Sequence, residues 1–300
     1  MRLLIDSASL WYRAFYGMPE SSTSNGLPNN AIKGFFDGMS RIVSKYRPDE
    51  IAICLDDNWR PAWRVNLYPQ YKMNLMEEVS DGEELEPDLL TPQIGPIIEL
   101  ARLLGLQLIS VEDQEADDVI ATLATRPNSP VVRIMTGDRD LFQLLKYKED
   151  LRVIYLAKGI SNHDLVDRQF IETKYGIPAT RYGLFAAIRG DASDGLPGIR
   201  GIGEKGAAEI VKRFDSMPEI ITAAETGSEL LKPLHRKRIL EDLDYARIAE
   251  PLVLCRTDLL IDDTQLNSWR KNANLVEFRR RAKELEMGTA MERIIAALDI

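Results

Sequence analysis

The sequence predicts an α/β fold, in which a mainly parallel central sheet is flanked by helices and followed by a helical second part. Apolar runs of strand length recur at residues 2–5, 50–55, 106–111, 130–135 and 151–156. Helical periodicity fills most of the intervals, and alternation of this kind builds parallel βαβ units. From about residue 165 strand-like runs mostly disappear and helical patterns follow one another. Two domains are therefore expected, residues 1–164 and 165–300.

Residues 2–5 form a short apolar strand that stops at Asp6. Ser7 or Ser9 can cap a helix over 7–16 that carries Trp11, Tyr12 and Arg13. Residues 19–30 have the polar, Ser-, Asn- and Pro-rich composition of a loop. Over 31–46, Ile32, Phe35, Phe36, Met39, Ile42 and Val43 recur near helical spacing, and Pro48 ends the pattern. The run 50–55 leads into Asp56 and Asp57. The run 106–111 leads into Glu115, Asp117 and Asp118, after which Val119, Ile120 and Leu123 mark a helix. The run 130–135 leads into Thr136-Gly137-Asp138-Arg139-Asp140, and 151–156 is a fifth strand. Beyond it, helices are expected over 164–175, 179–189, 203–214, 218–224, 234–249 and 275–285. No internal repeat of fixed period is evident.

A hydrophobic content of 45% and a charged content of 28% describe a chain able to bury a large core. No apolar run approaches the roughly 20 residues that span a bilayer. An acid at position 6 interrupts the N-terminal apolar residues too early for a secretory signal. Cys54 and Cys255 read as reduced core residues, so a cytoplasmic protein is expected. The net charge of −9 argues at face value against nucleic acid. That inference weakens where the acids are clustered, because distribution decides binding.

The acids are clustered. Glu115, Asp117 and Asp118 fall within four residues, and unpaired burial of such a group would cost several kcal/mol. A divalent cation would relieve it, and oxygen ligands without His or Cys favour Mg²⁺ or Mn²⁺ over Zn²⁺. An acidic first helical turn is the ordinary alternative for this stretch alone. The other strand ends shift the balance. Asp6, Asp56 and the Asp138/Asp140 pair also follow strands, and in a parallel sheet the crevice lies beyond the carboxyl ends. A second informative stretch spans 190–206, where Asp191 and Asp194 stand three apart. Gly198, Gly201 and Gly203 then make a tight turn opening a helix, with Arg200, Lys205, Lys212 and Arg213 nearby. Bare N–H groups at such a turn suit a phosphate, and two helices so joined can hold a nucleic-acid backbone without reading sequence. A plain Gly-rich cap between helices is the ordinary alternative.

Taken together, these motifs resemble the 5′-nuclease family of 5′–3′ exonucleases and flap endonucleases. The resemblance is to free-standing bacterial members and to the N-terminal nuclease domain of bacterial DNA polymerase I. It rests on Leu4-Ile5-Asp6, Leu55-Asp56, Tyr71-Lys72, the Glu115 to Asp118 cluster, Thr136 to Leu145 and residues 190–205. It runs from residue 2 to about 253 and is weaker beyond; no polymerase portion is expected.

The resemblance implies a PIN-like nuclease domain, a helical arch at about 70–100 and a C-terminal helix-hairpin-helix-type DNA-binding domain. It makes Asp6, Asp56, Glu115, Asp117, Asp118, Asp138, Asp140, Asp191 and Asp194 ligands of two Mg²⁺ or Mn²⁺ ions. It places Lys72 at the scissile phosphate, Arg64 and Tyr71 beside the strand, Tyr12 under an unpaired base and Arg13 at a phosphate. Gly198, Arg200, Gly201, Gly203 and Lys205 would meet duplex phosphates, with a monovalent cation such as K⁺ on the turn carbonyls. The implied substrate is DNA with a 5′ flap, overhang or nick. The implied setting is replication or repair, including RNA primer removal, by a monomer working beside a separate DNA polymerase.

The sequence also departs from the family. Gly195 and Gly206 stand where relatives usually have Asn and often Thr, and Leu75 stands where a basic residue is common. No Lys or Arg occurs from Leu75 to Ala101, and Glu77, Glu78, Asp81, Glu83, Glu84, Glu86 and Asp88 crowd the arch. Such an arch should thread a 5′ strand weakly, most of all at low salt. A non-catalytic junction-binding protein and a PIN-type ribonuclease are the competing readings. Nine retained carboxylates oppose the first, and the helical part with its glycine turn opposes the second. His163 and His235 form no triad or zinc pattern.

Overall fold

The computed structural model describes residues 1–77 and 88–300; the acids Glu78, Asp81, Glu83, Glu84 and Glu86 of the expected arch lie outside them. Among the described residues the chain builds a six-stranded sheet in the order β3-β2-β1-β4-β5-β6. Its strands are β1 (Arg2–Asp6), β2 (Glu50–Cys54), β3 (Gln107–Ile109), β4 (Val132–Thr136), β5 (Arg152–Tyr155) and β6 (Asp164–Val166). The first five run parallel, and β6 pairs antiparallel with β5. β1 lies at the centre, with Leu4 opposite Ala52 on one side and Ile134 on the other. All five of its residues are buried, as expected for a strand covered on both faces.

Helices cover both faces. On one side lie α1 (Ser7–Gly17), α2 (Asn30–Tyr46) and α5 (Thr91–Leu103), packed over Leu3, Ile5, Ile51 and Ile53. The short helices α3 (Ala62–Leu67) and α4 (Asn74–Glu77) precede α5. On the other side lie α6 (Ala116–Thr125) and a 3₁₀ segment, Asp140–Lys146, over Leu4, Ala52 and Ile134. The helical part continues that second core with α7 (Arg168–Tyr175), α8 (Tyr182–Arg189), α9 (Glu204–Val211), α10 (Met217–Thr226), α11 (Pro233–Glu241) and α12 (Leu243–Val253). Then α13 (Trp269–Asn272), α14 (Leu275–Glu284) and α15 (Thr289–Leu298) return to the first layer. The Trp269 indole N–H donates to the Leu298 carbonyl at 3.3 Å, and Phe278 meets Phe36 edge-on.

Three local differences from the sequence reading have physical causes. Residues 164–166, expected to begin a helix, pair with β5 instead (Val153 opposite Val166). Asp167 then starts α7 by accepting from the Phe170 N–H at 2.9 Å. The expected helix 234–249 divides at Asp242, whose backbone (φ −123°, ψ 29°) leaves the helical region. Asp242 is also held from outside, since its carboxylate accepts the Arg200 N–H at 2.8 Å. Finally, α15 has no counterpart among the expected helices, and α14 and α15 pack with the sheet rather than with α7–α12.

Candidate active site

The chain reverses direction across the sheet between β1 and β4, so the crevice belongs at the carboxyl ends of those two strands. Asp6 stands there. It caps α1 by accepting from the Ser9 N–H at 3.1 Å, and Thr136 at the end of β4 donates its hydroxyl to it at 2.6 Å. Asp56 follows β2 and accepts the first N–H of α6, from Ala116, at 2.7 Å. That bond ties a strand end to the helix bearing Asp117. Asp138 follows β4 and accepts the Asp140 N–H at 2.7 Å. Asp191 sits in the loop after α8, closed by paired backbone bonds with Leu196 at 2.8 and 2.9 Å.

Electrostatics link these groups. Burial, reinforced by Asp6 and Glu115, pushes the Asp56 carboxyl up to about 6. Burial with Asp138, Asp6 and Glu115 pushes Asp117 well above the carboxylate range. Burial also raises Asp138, beside Asp6 and Asp191, and raises Asp140 strongly, beside Asp138, Asp191 and Asp194. Asp194 is lifted to about 7 by burial and by Asp138, Glu115 and Asp191, against the pull of Lys72. Asp191 is the exception. Burial opposes it, but hydrogen bonds from Ser193 and Arg139 hold its carboxyl below the usual range.

The cationic partners are unevenly shared. Lys72 Nζ donates to Glu115 and lies 3.9 Å from Asp194 Oδ1. Arg139 Nη2 donates to Asp191 Oδ2 at 2.9 Å, and the buried Arg189 guanidinium lies 3.8 Å from Asp140 and 3.6 Å from Asp191. Sequence reasoning gave no site role to Ser9, Thr136, Arg139 or Arg189. A signal existed for the two arginines, which interrupt or adjoin acidic motifs and would be costly there without a charge role.

Three expected site residues are placed differently. Asp118 is fully buried, and its two oxygens accept from Arg64 at 2.8 and 3.0 Å and from the Arg256 N–H at 2.8 Å. It turns inward because successive helical residues point about 100° apart, so α6 cannot aim both Asp117 and Asp118 at the rim. Arg64 is only 3% exposed, clamped between Glu115 and Asp118 and stacked 4.3 Å from the Trp63 ring. In this structure it acts as an internal strut between the two carboxylates. Tyr71 is likewise buried, donating its hydroxyl to Glu115 at 3.0 Å.

Asp6, Asp56, Glu115, Asp117, Asp138, Asp140, Asp191 and Asp194 remain grouped at the rim. Among the described residues no three of them converge on a single point at metal-ligand spacing. Their chemistry nonetheless fits a hard divalent cation. The donors are all oxygens, Asp140 Oδ1 is buried without a hydrogen-bond partner, and burial first, then neighbouring carboxylates, raise Asp117 and Asp140, which a bound cation would offset.

An open cleft of about 610 Å³ adjoins this rim, lined by Tyr12, Arg13, Tyr16, Asp138, Arg139 and Tyr155. Tyr12 is 52% exposed, and Tyr16, one turn further along α1, is 80% exposed. The glycine turn is split in its placement. Gly198 is buried at φ +66°, and a Cβ there would come within 2.5 Å of the Arg189 carbonyl, so only glycine fits. Arg200, Gly201, Gly203 and Lys205 are exposed.

Residues 1–176 match the family described as 5′-3′ exonuclease, N-terminal resolvase-like domain, and residues 177–274 match 5′-3′ exonuclease, C-terminal SAM fold. A 5′-3′ exonuclease of Streptomyces coelicolor is 37% identical over 301 residues, covering 99% of each chain. One of Mycobacterium tuberculosis is 39% identical over 267 residues, covering 85% of this chain and 84% of that protein. Among solved structures, the T5 5′-exonuclease with bound zinc superimposes with a TM-score of 0.68 at 15% identity, over 99% of this chain and 100% of that one. At that identity the superposition speaks for the fold.

Proposed function

The chain belongs to the 5′–3′ exonuclease family, and on that premise we propose that it is a structure-selective 5′-nuclease. It hydrolyses phosphodiester bonds in DNA bearing a 5′ flap, a 5′ overhang or a nick, in replication or repair, including removal of RNA primers. The observation that carries this reading is the delivery of eight carboxylates and the Lys72 ammonium to one rim of the sheet beside an aromatic, basic cleft.

Asp6, Asp56, Glu115 and Asp117 would hold one side of a site for two Mg²⁺ or Mn²⁺ ions, and Asp138, Asp140, Asp191 and Asp194 would hold the other. When bound, the two ions supply the charge that activates the attacking water and stabilises the leaving oxygen. The chain supplies the rest. Lys72 meets the scissile phosphate and orients it. Tyr12 stacks on an unpaired base, and Arg13 contacts a phosphate beside it. Arg200, Gly201, Gly203 and Lys205 hold the duplex backbone at a distance from the cut, so register is set without reading sequence, and the turn carbonyls would hold a K⁺. The enzyme acts as a cytoplasmic monomer beside a separate DNA polymerase.

Cleavage of a 5′-labelled flap duplex in Mg²⁺ or Mn²⁺, next to the Asp138→Ala variant, tests this. Cutting near the junction that the variant loses while still binding DNA is the expected result. Tight structure-selective binding with no cutting in either metal would replace this reading with that of a junction-binding protein.

A further inference from the structure

Two segments more than a hundred residues apart are joined at the rim. Residues 70–73 form a tight turn closed by the Met73 N–H on the Gln70 carbonyl at 3.1 Å. Lys72 sits inside it at φ +52°, a left-handed conformation that is strained for a residue bearing a side chain. What opposes that strain comes from the loop 191–196. The Lys72 N–H donates to the Asp194 carbonyl at 2.9 Å. The Asn74 side-chain amide donates to the Ser193 carbonyl at 3.1 Å and the Ala192 carbonyl at 3.5 Å. Gly195, at φ +68°, lets the two backbones close up. A Cβ there would lie 3.0 Å from the Gln70 carbonyl oxygen and 3.2 Å from Asn74 Oδ1. Gly195 stands where relatives usually have Asn, and here its missing side chain is what admits residues 70–74.

We propose that Asn74 and Gly195 are positioning residues, forming a clasp that fixes the Lys72 ammonium relative to the Asp191 and Asp194 carboxylates. The cation that meets the scissile phosphate and one carboxylate wall then move as a single body. Neither Asn74 nor Gly195 touches the reacting atoms. The proposal rests on the nuclease reading for its catalytic consequence, but not for its consequence on cation binding.

The test is a double-mutant cycle on the full chain. Asn74→Ala removes both amide contacts and should lower kcat on the flap duplex about tenfold with KM within twofold. The loss should vanish when Lys72 is already alanine, because Asn74 acts through it. Asn74→Asp keeps the shape but points oxygens at two carbonyls, so it should do worse than alanine, whereas a space-filling role would make it milder. The second readout is Mn²⁺ binding to the DNA-free protein by titration calorimetry. The weaker binding event should lose affinity severalfold in Asn74→Ala, with the urea midpoint unchanged. A kcat within twofold of wild type, a penalty that persists in the Lys72→Ala background, or superimposable Mn²⁺ isotherms would each overturn the clasp. If wild type cuts nothing, the nuclease reading fails instead, and the Mn²⁺ isotherms still decide the clasp.

Discussion

Replacing Arg64 with methionine removes the cation between two buried carboxylates. The side chains of Arg64, Glu115 and Asp118 are 3%, 4% and 0% exposed, so water cannot take the place of the lost partner. Removing one member of a buried pair costs roughly 3–5 kcal/mol. Among the described residues, Glu115 keeps Lys72 and Tyr71, and Asp118 keeps only the Arg256 N–H. The cost therefore falls mainly on Asp118, and the lower part of that range, about 3 kcal/mol, is expected. That is a large share of a total stability of roughly 5–15 kcal/mol. Arg64→Lys keeps the charge but cannot bridge both Asp118 oxygens and Glu115 together, so it should lose about half as much. Pairing Arg64→Met with Asp118→Leu should recover most of the loss, because a well-packed apolar pair tolerates burial where a lone carboxylate does not. Urea unfolding in EDTA, followed by circular dichroism, measures all three. A stable Arg64→Met protein, shifted by less than about 1 kcal/mol yet a hundredfold slower on DNA, would refute the strut. It would put Arg64 back beside the substrate, where the family resemblance places it.

Asp117 and Asp118 should respond oppositely to Asn substitution. In EDTA, Asp117→Asn removes a carboxyl whose ionisation burial and its acidic neighbours disfavour and should raise the urea midpoint, while Asp118→Asn should lower it; equal shifts would contradict the α6 orientation. Without metal, stability should fall as pH rises from about 5 to 8. Asp56 near 6 and Asp194 near 7 hold protons in the folded chain that the unfolded chain, near 3.8, has already released. These and the raised Asp117 and Asp140 outweigh His235, whose lowered value acts the other way. Mg²⁺ should flatten the slope, and a metal-free midpoint that climbs with pH would argue against an uncompensated cluster. Deleting residues 275–300 should leave an insoluble or unfolded nuclease layer, since α14 and α15 cover Phe36 and the α2 face. A soluble truncated chain with native circular dichroism would count against that packing.

The sheet and most of its acidic rim were legible in the sequence for a geometric reason. Parallel strands deliver whatever follows them to one edge, so Asp6, Asp56 and Asp138 could be gathered from position alone, before any side chain was seen. Asp191 and Asp194 could be gathered only through the family resemblance, since no strand precedes them. The glycine turn was visible too, because left-handed backbone leaves its mark in residue type, although its inward and outward halves were not distinguishable. Tertiary structure decided the rest. Asp117 and Asp118 are adjacent acids in one helical pattern, and only the presence of Arg64 and Arg256 behind α6 determines which of them turns inward. The strand at 164–166 is too short to show a period and exists because the β5 edge is there to pair with. Arg64 and the return of α14 and α15 answer to partners between about 50 and 250 residues away. A local pattern records what a residue needs from its own turn or strand; it does not record which distant charge or surface will meet that need.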